Sequence, residues 1–174
     1  MTIFELVRNK YNMQHIKLTE NIGEFKVDVI SNELKKIDPK ASIEIIRSRV
    51  QDIDHLEGDY LIDCVDNKET KIYLSTLSNQ LNIPLLHGSC AGWYGQVGWM
   101  SPSCTLIEDL YGHEDNGLEE KIFNPPFMPN VIASYMVGEF TKMIKQSSNI
   151  VLDELLFIDL FNLGMIRSGG KHHG

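Results

Sequence analysis

The sequence predicts an α/β fold, with a mostly parallel sheet carrying helices on both faces and antiparallel strands toward the C-terminus. Two observations carry that prediction. Up to His87, short apolar runs alternate with segments of helical periodicity, and the connections are only a few residues long. From Gly88 the texture changes to Gly88-Ser89-Cys90-Ala91-Gly92-Trp93-Tyr94-Gly95-Gln96-Val97-Gly98-Trp99, a glycine-punctuated β-like run that suits antiparallel strands better than another crossover.

Taken in order, Ile3 to Val7 is a short apolar strand, followed by a polar stretch through Tyr11 to Thr19. A helix starts near Ile22. Its Val27, Ile30, Leu34 and Ile37 recur at helical spacing, and Pro39 stops it. Ser42 to Ile46 alternates as a strand with one buried face, and Tyr60 to Val65 suits a strand buried on both faces. A second helix runs from Asn67 to Leu81 with Ile72, Leu74, Leu77 and Leu81 on its apolar side, and the strand Pro84 to His87 follows. Crossovers between parallel strands are right-handed by chirality. Residues 108 to 121 are polar and acidic and read as a mobile loop. A helix from about Asn130 to Lys145 places Ile132, Tyr135, Met136, Phe140 and Ile144 on one side, and Leu155 to Met165 is an apolar strand or strand pair. Residues 1–167 read as one domain, and 168–174 as a flexible tail without core-forming residues.

At 174 residues with 43% hydrophobic content, one domain can bury a sizeable core. The net charge of -8 repels polyphosphate at long range, which argues against general nucleic-acid or anionic-membrane binding and requires any nucleotide site to be locally basic. No run approaches the roughly 20 apolar residues of a membrane span, and Met1 to Lys10 lacks a signal peptide's order of charge and apolar residues, so the expected location is the cytoplasm. Cys64, Cys90 and Cys104 form no C-x-x-C pair, and the expectation is reduced thiols, Cys64 in the core, with no zinc site. His87, ending a strand, reads as a satisfied buried ring.

Six local patterns then occur in sequence: Asn21-Ile22-Gly23-Glu24-Phe25-Lys26-Val27; Leu34-Lys35-Lys36-Ile37-Asp38-Pro39; Asp63-Cys64-Val65-Asp66-Asn67; Ile83-Pro84-Leu85-Leu86-His87-Gly88; Gly92-Trp93-Tyr94-Gly95-Gln96-Val97; and Asn124-Pro125-Pro126-Phe127-Met128-Pro129. Each alone is weak, but their order over residues 21 to 145 resembles the ThiF/MoeB/HesA family of ubiquitin-activating-enzyme-like adenylyltransferases, in its ThiF-like branch. The resemblance implies a Rossmann-like sheet that binds ATP and Mg²⁺ and adenylates the C-terminal glycine of a ubiquitin-like sulfur carrier protein, as in thiamine or molybdopterin biosynthesis. A carboxylate must there approach an α-phosphate of the same charge sign, so a metal ion and a lysine are needed to offset the repulsion.

By that resemblance Asp66 holds Mg²⁺ or orients the phosphates, Lys26 contacts phosphate, and Asn67, Asn12 and Gln14 belong to the nucleotide site. Independently of it, Asp66 lies at the end of a buried strand, where open α/β sheets place ligands, although a helix cap explains Asp66 and Asn67 as well. Lys26 sits in a first helical turn, where the macrodipole does not favour a cation. Asp63 reads as structural. The sequence also departs from the family. The strand, G-x-G-x-x-G turn and helix that open the family fold have no counterpart, and Tyr11-Asn12-Met13-Gln14-His15 lacks the arginine of the family's N-x-x-R-Q run.

A sheet without its first strand exposes apolar edges, so the expectation is a homo-oligomer or second chain that completes it, a rearranged sheet, or a longer protein. Two functional readings follow. One is an adenylyltransferase relying on Lys26 and Asp66; the other is a catalytically impaired relative acting as a dimer or carrier-binding partner through Trp93 to Trp99.

Overall fold

The computed structural model describes residues 2–4, 23–53, 55–112 and 125–169. Asn12, Gln14, His113 and residues 170–174 lie outside them, as does most of the acidic segment 108–121. The chain forms two compact units, one ending at Gly58 and one beginning at Asp59.

In the first unit β1 (Thr2–Phe4) pairs in parallel with β2 (Glu44–Ile46), Ile3 opposite Ile45. Parallel pairing demands a crossover, and α1 (Lys26–Ile37) lies in that connection. The helix ends where Pro39 restricts its predecessor: Asp38 takes an extended conformation, φ -133° and ψ 97°. Arg47 bonds Asp28 through Nε at 3.1 Å and Nη2 at 2.8 Å, and its guanidinium lies 5.2 Å from the centre of the Phe25 ring, so the residue after β2 is tied to the start of α1. The apolar stripe of α1 is corrected in part. Val27 is buried, whereas Ile30 is exposed and Ile37 is 82% exposed, because periodicity puts residues on a common face without supplying anything to cover it.

The second unit holds a five-stranded sheet in the order β3 (Leu61–Asp63), β4 (Leu85–Ala91), β5 (Tyr94–Met100), β6 (Glu154–Asp159), β7 (Gly164–Gly169). The β3–β4 pair is parallel and the three pairings from β4 to β7 are antiparallel. The antiparallel C-terminal strands are as expected. In this sheet, however, the predominance is reversed from mostly parallel: a crossover through α2 (Lys68–Leu81) joins β3 to β4, short turns join β4 to β5 and β6 to β7, and the long connection from Met100 to Glu154 returns β6 antiparallel to β5. Two residues join β4 to β5, with Gly92 at φ 60° in the first loop position, the left-handed site a tight hairpin assigns to glycine. Ser168 and Gly169, expected in the tail, belong to β7.

Alternation along the strands sends Leu86, Gly88, Val97, Trp99 and Ile158 toward α4 (Phe127–Ile144), where Met128, Ile132 and Met136 complete an apolar core. Trp99 is fully buried. It stacks on Phe140, meets Tyr60 edge-on at 5.6 Å, and donates its indole N–H to the Glu139 carbonyl at 3.3 Å. The helix starts earlier than expected and buries Glu139 rather than Ile144, which is 58% exposed. Glu139 bonds Lys142 at 2.5 Å and the Val151 N–H at 2.9 Å, so its burial is matched by donors. The opposite sheet face carries α2 and α3 (Leu106–Tyr111), the latter a helix where a loop was expected. Helices therefore cover both faces of this sheet, as the sequence predicts.

Two glycines should respond in opposite directions. A Cβ on Gly98 would fall 2.1 Å from the Glu154 carbonyl oxygen, a backbone atom that cannot move aside, whereas a Cβ on Gly138 in α4 meets nothing within 4 Å. Gly98→Ala should lower the unfolding free energy by about 1–3 kcal/mol through overpacking. Gly138→Ala should raise it by about 1 kcal/mol through helix propensity. Urea midpoints at constant m-value test both.

Candidate functional site at the end of strand β3

Strand parity places Leu61 and Asp63 on the α2 side of the sheet, next to Leu85 and His87 of β4. Asp63, His87 and Lys71 are each 0% exposed. A buried carboxylate is tolerable only with partners, and Asp63 has several. Its Oδ2 accepts from His87 Nδ1 at 2.6 Å and lies 3.5 Å from Lys71 Nζ, while Oδ1 accepts the Val65 N–H at 2.9 Å. Burial by itself would raise the carboxyl's pKa. The hydrogen bond from His87, the Lys71 charge and the Val65 N–H together outweigh it and hold Asp63 below the usual carboxylate range.

The chain of bonds continues outward. Gln96 of β5 donates through Nε2 to His87 Nε2 at 3.0 Å and to the Tyr111 hydroxyl at 2.5 Å. With Nδ1 facing a carboxylate and Nε2 facing an amide donor, His87 takes the Nδ1–H tautomer. Tyr111 meets the His87 ring edge-on at 5.8 Å, and Lys71 Nζ lies 5.8 Å from the Tyr111 ring centre. Because His87 Nε2 is engaged by Gln96 inside a closed face, the Asp63–His87 pair is built to hold structure rather than to take a proton from a substrate.

The segment leaving β3 reaches the surface at once: Cys64, Asp66 and Asn67 are exposed and Val65 is half-buried. Asn67 is the N-cap of α2, its Oδ1 accepting the Thr70 N–H at 2.9 Å. The cap thus falls to Asn67, which leaves the Asp66 carboxylate exposed at the C-terminal end of a parallel strand, one residue before a helix N-cap. Lys71 binds the preceding residue, donating to the Val65 carbonyl at 2.5 Å. Lys26, half-buried, opens α1 and belongs to the other unit. Among the described residues no three His, Cys, Asp or Glu side chains gather as a metal's ligand set.

Cys64 is corrected from core to exposed surface, since the residue after Asp63 already leaves the sheet. Cys104 is half-buried, and its thiol is pushed up to about 11, chiefly by burial, with Asp153 and Glu108 adding and the Leu106 N–H opposing. Lys71, Gln96 and Tyr111 were not singled out from the sequence. Strand parity could have flagged Gln96, which shares its face with His87; nothing local marks Lys71 as buried.

A ThiF family model matches residues 9–171 of the sequence. The chain belongs to the ThiF family. Solved structures agree on the fold: E. coli MccB with ATP superposes with a TM-score of 0.71 at 16% identity over 97% of this chain and 54% of that one. The microcin C7 biosynthetic enzyme MccB in complex with N-formylated MccA gives 0.73 at 19% identity, over 97% and 56%. PaaA gives 0.63 at 12% identity, over 95% and 61%. The chain therefore spans little more than half the length of the MccB structures it resembles. Among curated proteins none matches the sequence. No helix among the described residues is long and apolar enough to cross a membrane.

Asp63 should contribute stability fully above its unfolded pKa of about 4 and lose that contribution as the pH falls through its lower folded value. Asp63→Asn, which leaves the Lys71 charge unpaired, should cost about 3–5 kcal/mol at pH 7. Urea titrations should show the gap from wild type narrowing below about pH 4. For the thiols, iodoacetamide at neutral pH followed by peptide mapping should modify Cys64 at least about ten-fold faster than Cys104.

Proposed function

We propose that this ThiF-family chain takes part in ATP-dependent adenylylation of a C-terminal carboxylate, on a peptide or a ubiquitin-like sulfur carrier protein. The observation that carries the reading is Asp66: a carboxylate exposed at the tip of β3, in the D-x-x-D-N pattern, with the capping duty beside it taken by Asn67. Its setting fits Mg²⁺, which binds through one or two carboxylates and completes its shell with water and phosphate oxygens. Bound there, Mg²⁺ would supply charge neutralisation between the nucleotide and the incoming carboxylate.

In this reading the substrate carboxylate oxygen attacks the α-phosphorus of ATP, the bond to the bridging oxygen breaks, and pyrophosphate leaves. Asp66 holds the metal, Lys26 contacts phosphate, and Asn67, Asn12 and Gln14 contribute to the nucleotide site. Lys26 and the remaining residues rest on the family pattern. MccB structures that hold ATP, or AMPCPP together with MccA, support nucleotide and peptide as the two substrate classes. Thiamine or molybdopterin biosynthesis is the proposed setting, and a homo-oligomer or a second chain the proposed supplement to the sheet.

A second reading is a non-catalytic partner of a carrier or of another copy. The partly exposed aromatic group at the β4–β5 turn favours it, for Trp93 there meets Phe127 at 5.0 Å and Phe161 at 5.8 Å.

Calorimetry with ATP and Mg²⁺ separates the two. The first reading expects binding that Asp66→Ala weakens by ten-fold or more, roughly 1.4 kcal/mol, and that Lys26→Ala also weakens. No heat from the wild type, together with a light-scattering mass above the monomer, favours the partner reading.

A further inference from the structure

Lys71 occupies a helix position that packing alone would give to leucine or methionine. It is fully buried on α2 beside Leu74, Ser75 and Ser78, and a buried ammonium is retained only where its donors are used. One donor goes to Val65. That residue is gripped at both backbone groups by buried charges: its N–H by Asp63 Oδ1 at 2.9 Å, and its carbonyl by Lys71 Nζ at 2.5 Å.

The Val65 carbonyl and the Asp66 N–H belong to one rigid peptide plane. Fixing the carbonyl therefore fixes the direction from which Asp66 emerges. One residue later Asn67 is fixed as well, through its bond to the Thr70 N–H. Asp66 is thus an exposed residue strung between two anchored points, and its backbone has little freedom although its carboxylate faces solvent.

We propose that Lys71 and Asp63 are positioning residues for Asp66, a buried ion pair that clamps the Val65 peptide so that the exposed carboxylate is preset for Mg-ATP. The inference rests on the reading of Asp66 as the metal and nucleotide ligand. Preorganisation of this kind matters because a carboxylate that had to be ordered on binding would lose affinity to the entropy of ordering its loop. A Lys71 that merely filled space would be replaceable by methionine with no effect at Asp66.

The test combines amide hydrogen exchange with calorimetry on the full chain, comparing wild type, Lys71→Met, Lys71→Arg and Asp66→Ala. In the wild type the Val65 amide should be protected by at least ten-fold although its neighbours Cys64 and Asp66 are exposed; exchange at the unprotected rate overturns the clamp without recourse to any variant. Lys71→Met should speed exchange at Val65 by ten-fold or more while β4 and β5 keep their protection, and should weaken Mg-ATP binding by about ten-fold. Lys71→Arg should restore most of both. Asp66→Ala should weaken binding by ten-fold or more and leave Val65 exchange unchanged. If Lys71→Met loosens the loop and Mg-ATP affinity does not move, the positioning role is refuted while Asp66 remains a ligand. If the wild type binds no Mg-ATP, the nucleotide reading fails and with it the role assigned to the clamp, whereas the exchange data still decide whether the clamp exists.

Discussion

A carboxylate with no access to water organises the second unit. Asp63 cannot be buried as an anion unless every neighbour is arranged around it, and each neighbour comes from a different element. His87 brings β4, Lys71 brings α2, the Val65 N–H brings the loop, and through His87 the side chains of Gln96 and Tyr111 bring β5 and α3. A shift of any one would leave a polar atom stranded in a region of low dielectric. The register between β3 and β4, with Asp63 opposite His87, is therefore tied to the same bond that neutralises the charge.

The two faces of the sheet consequently follow different rules. Toward α4 the contact is apolar, and it is matched by shape: a Cβ on Gly88 would collide with Met136, and one on Gly95 with Ile132, so these strands carry glycine where the helix approaches closely. Toward α2 and α3 the contact is a hydrogen-bonded network whose geometry is directional. An apolar face tolerates small repacking, whereas a charged network admits one arrangement. The exposed Asp66 follows Val65, whose N–H and carbonyl are both bonded by side chains of that network.

Much of the architecture is legible in periodicity and punctuation. The helical spacing after Gly23, the stop at Pro39, the run ending at Leu81 and the glycine-rich hairpin all correspond to elements, because each is decided by local sterics and by alternation of apolar residues. The errors share a cause. On α2 the apolar residues Ile72, Leu77 and Leu81 are only half-buried, while Lys71, Ser75 and Ser78 are buried, because the face of that helix is chosen by Asp63 and not by hydrophobicity. Residues 106 to 111 form a helix whose polar residues concealed it, since Ile107 alone of its side chains is fully buried and Tyr111 is drawn in by Gln96. Cys64 reads as apolar but stands one residue beyond the end of β3, where strand alternation no longer applies.

By itself the sequence determined the order of helices and strands, the antiparallel turn at Gly92 and membership of the ThiF family, since all three reside in residues near one another along the chain or in the serial order of short motifs. Which lysine is buried, which aspartate is neutralised and which is left facing solvent were decided only in three dimensions. Asp63 and Asp66 are the same residue type three positions apart. Their opposite fates depend on His87, 24 residues away along the chain, and on Lys71 reaching back from a helix, partnerships that no local pattern encodes.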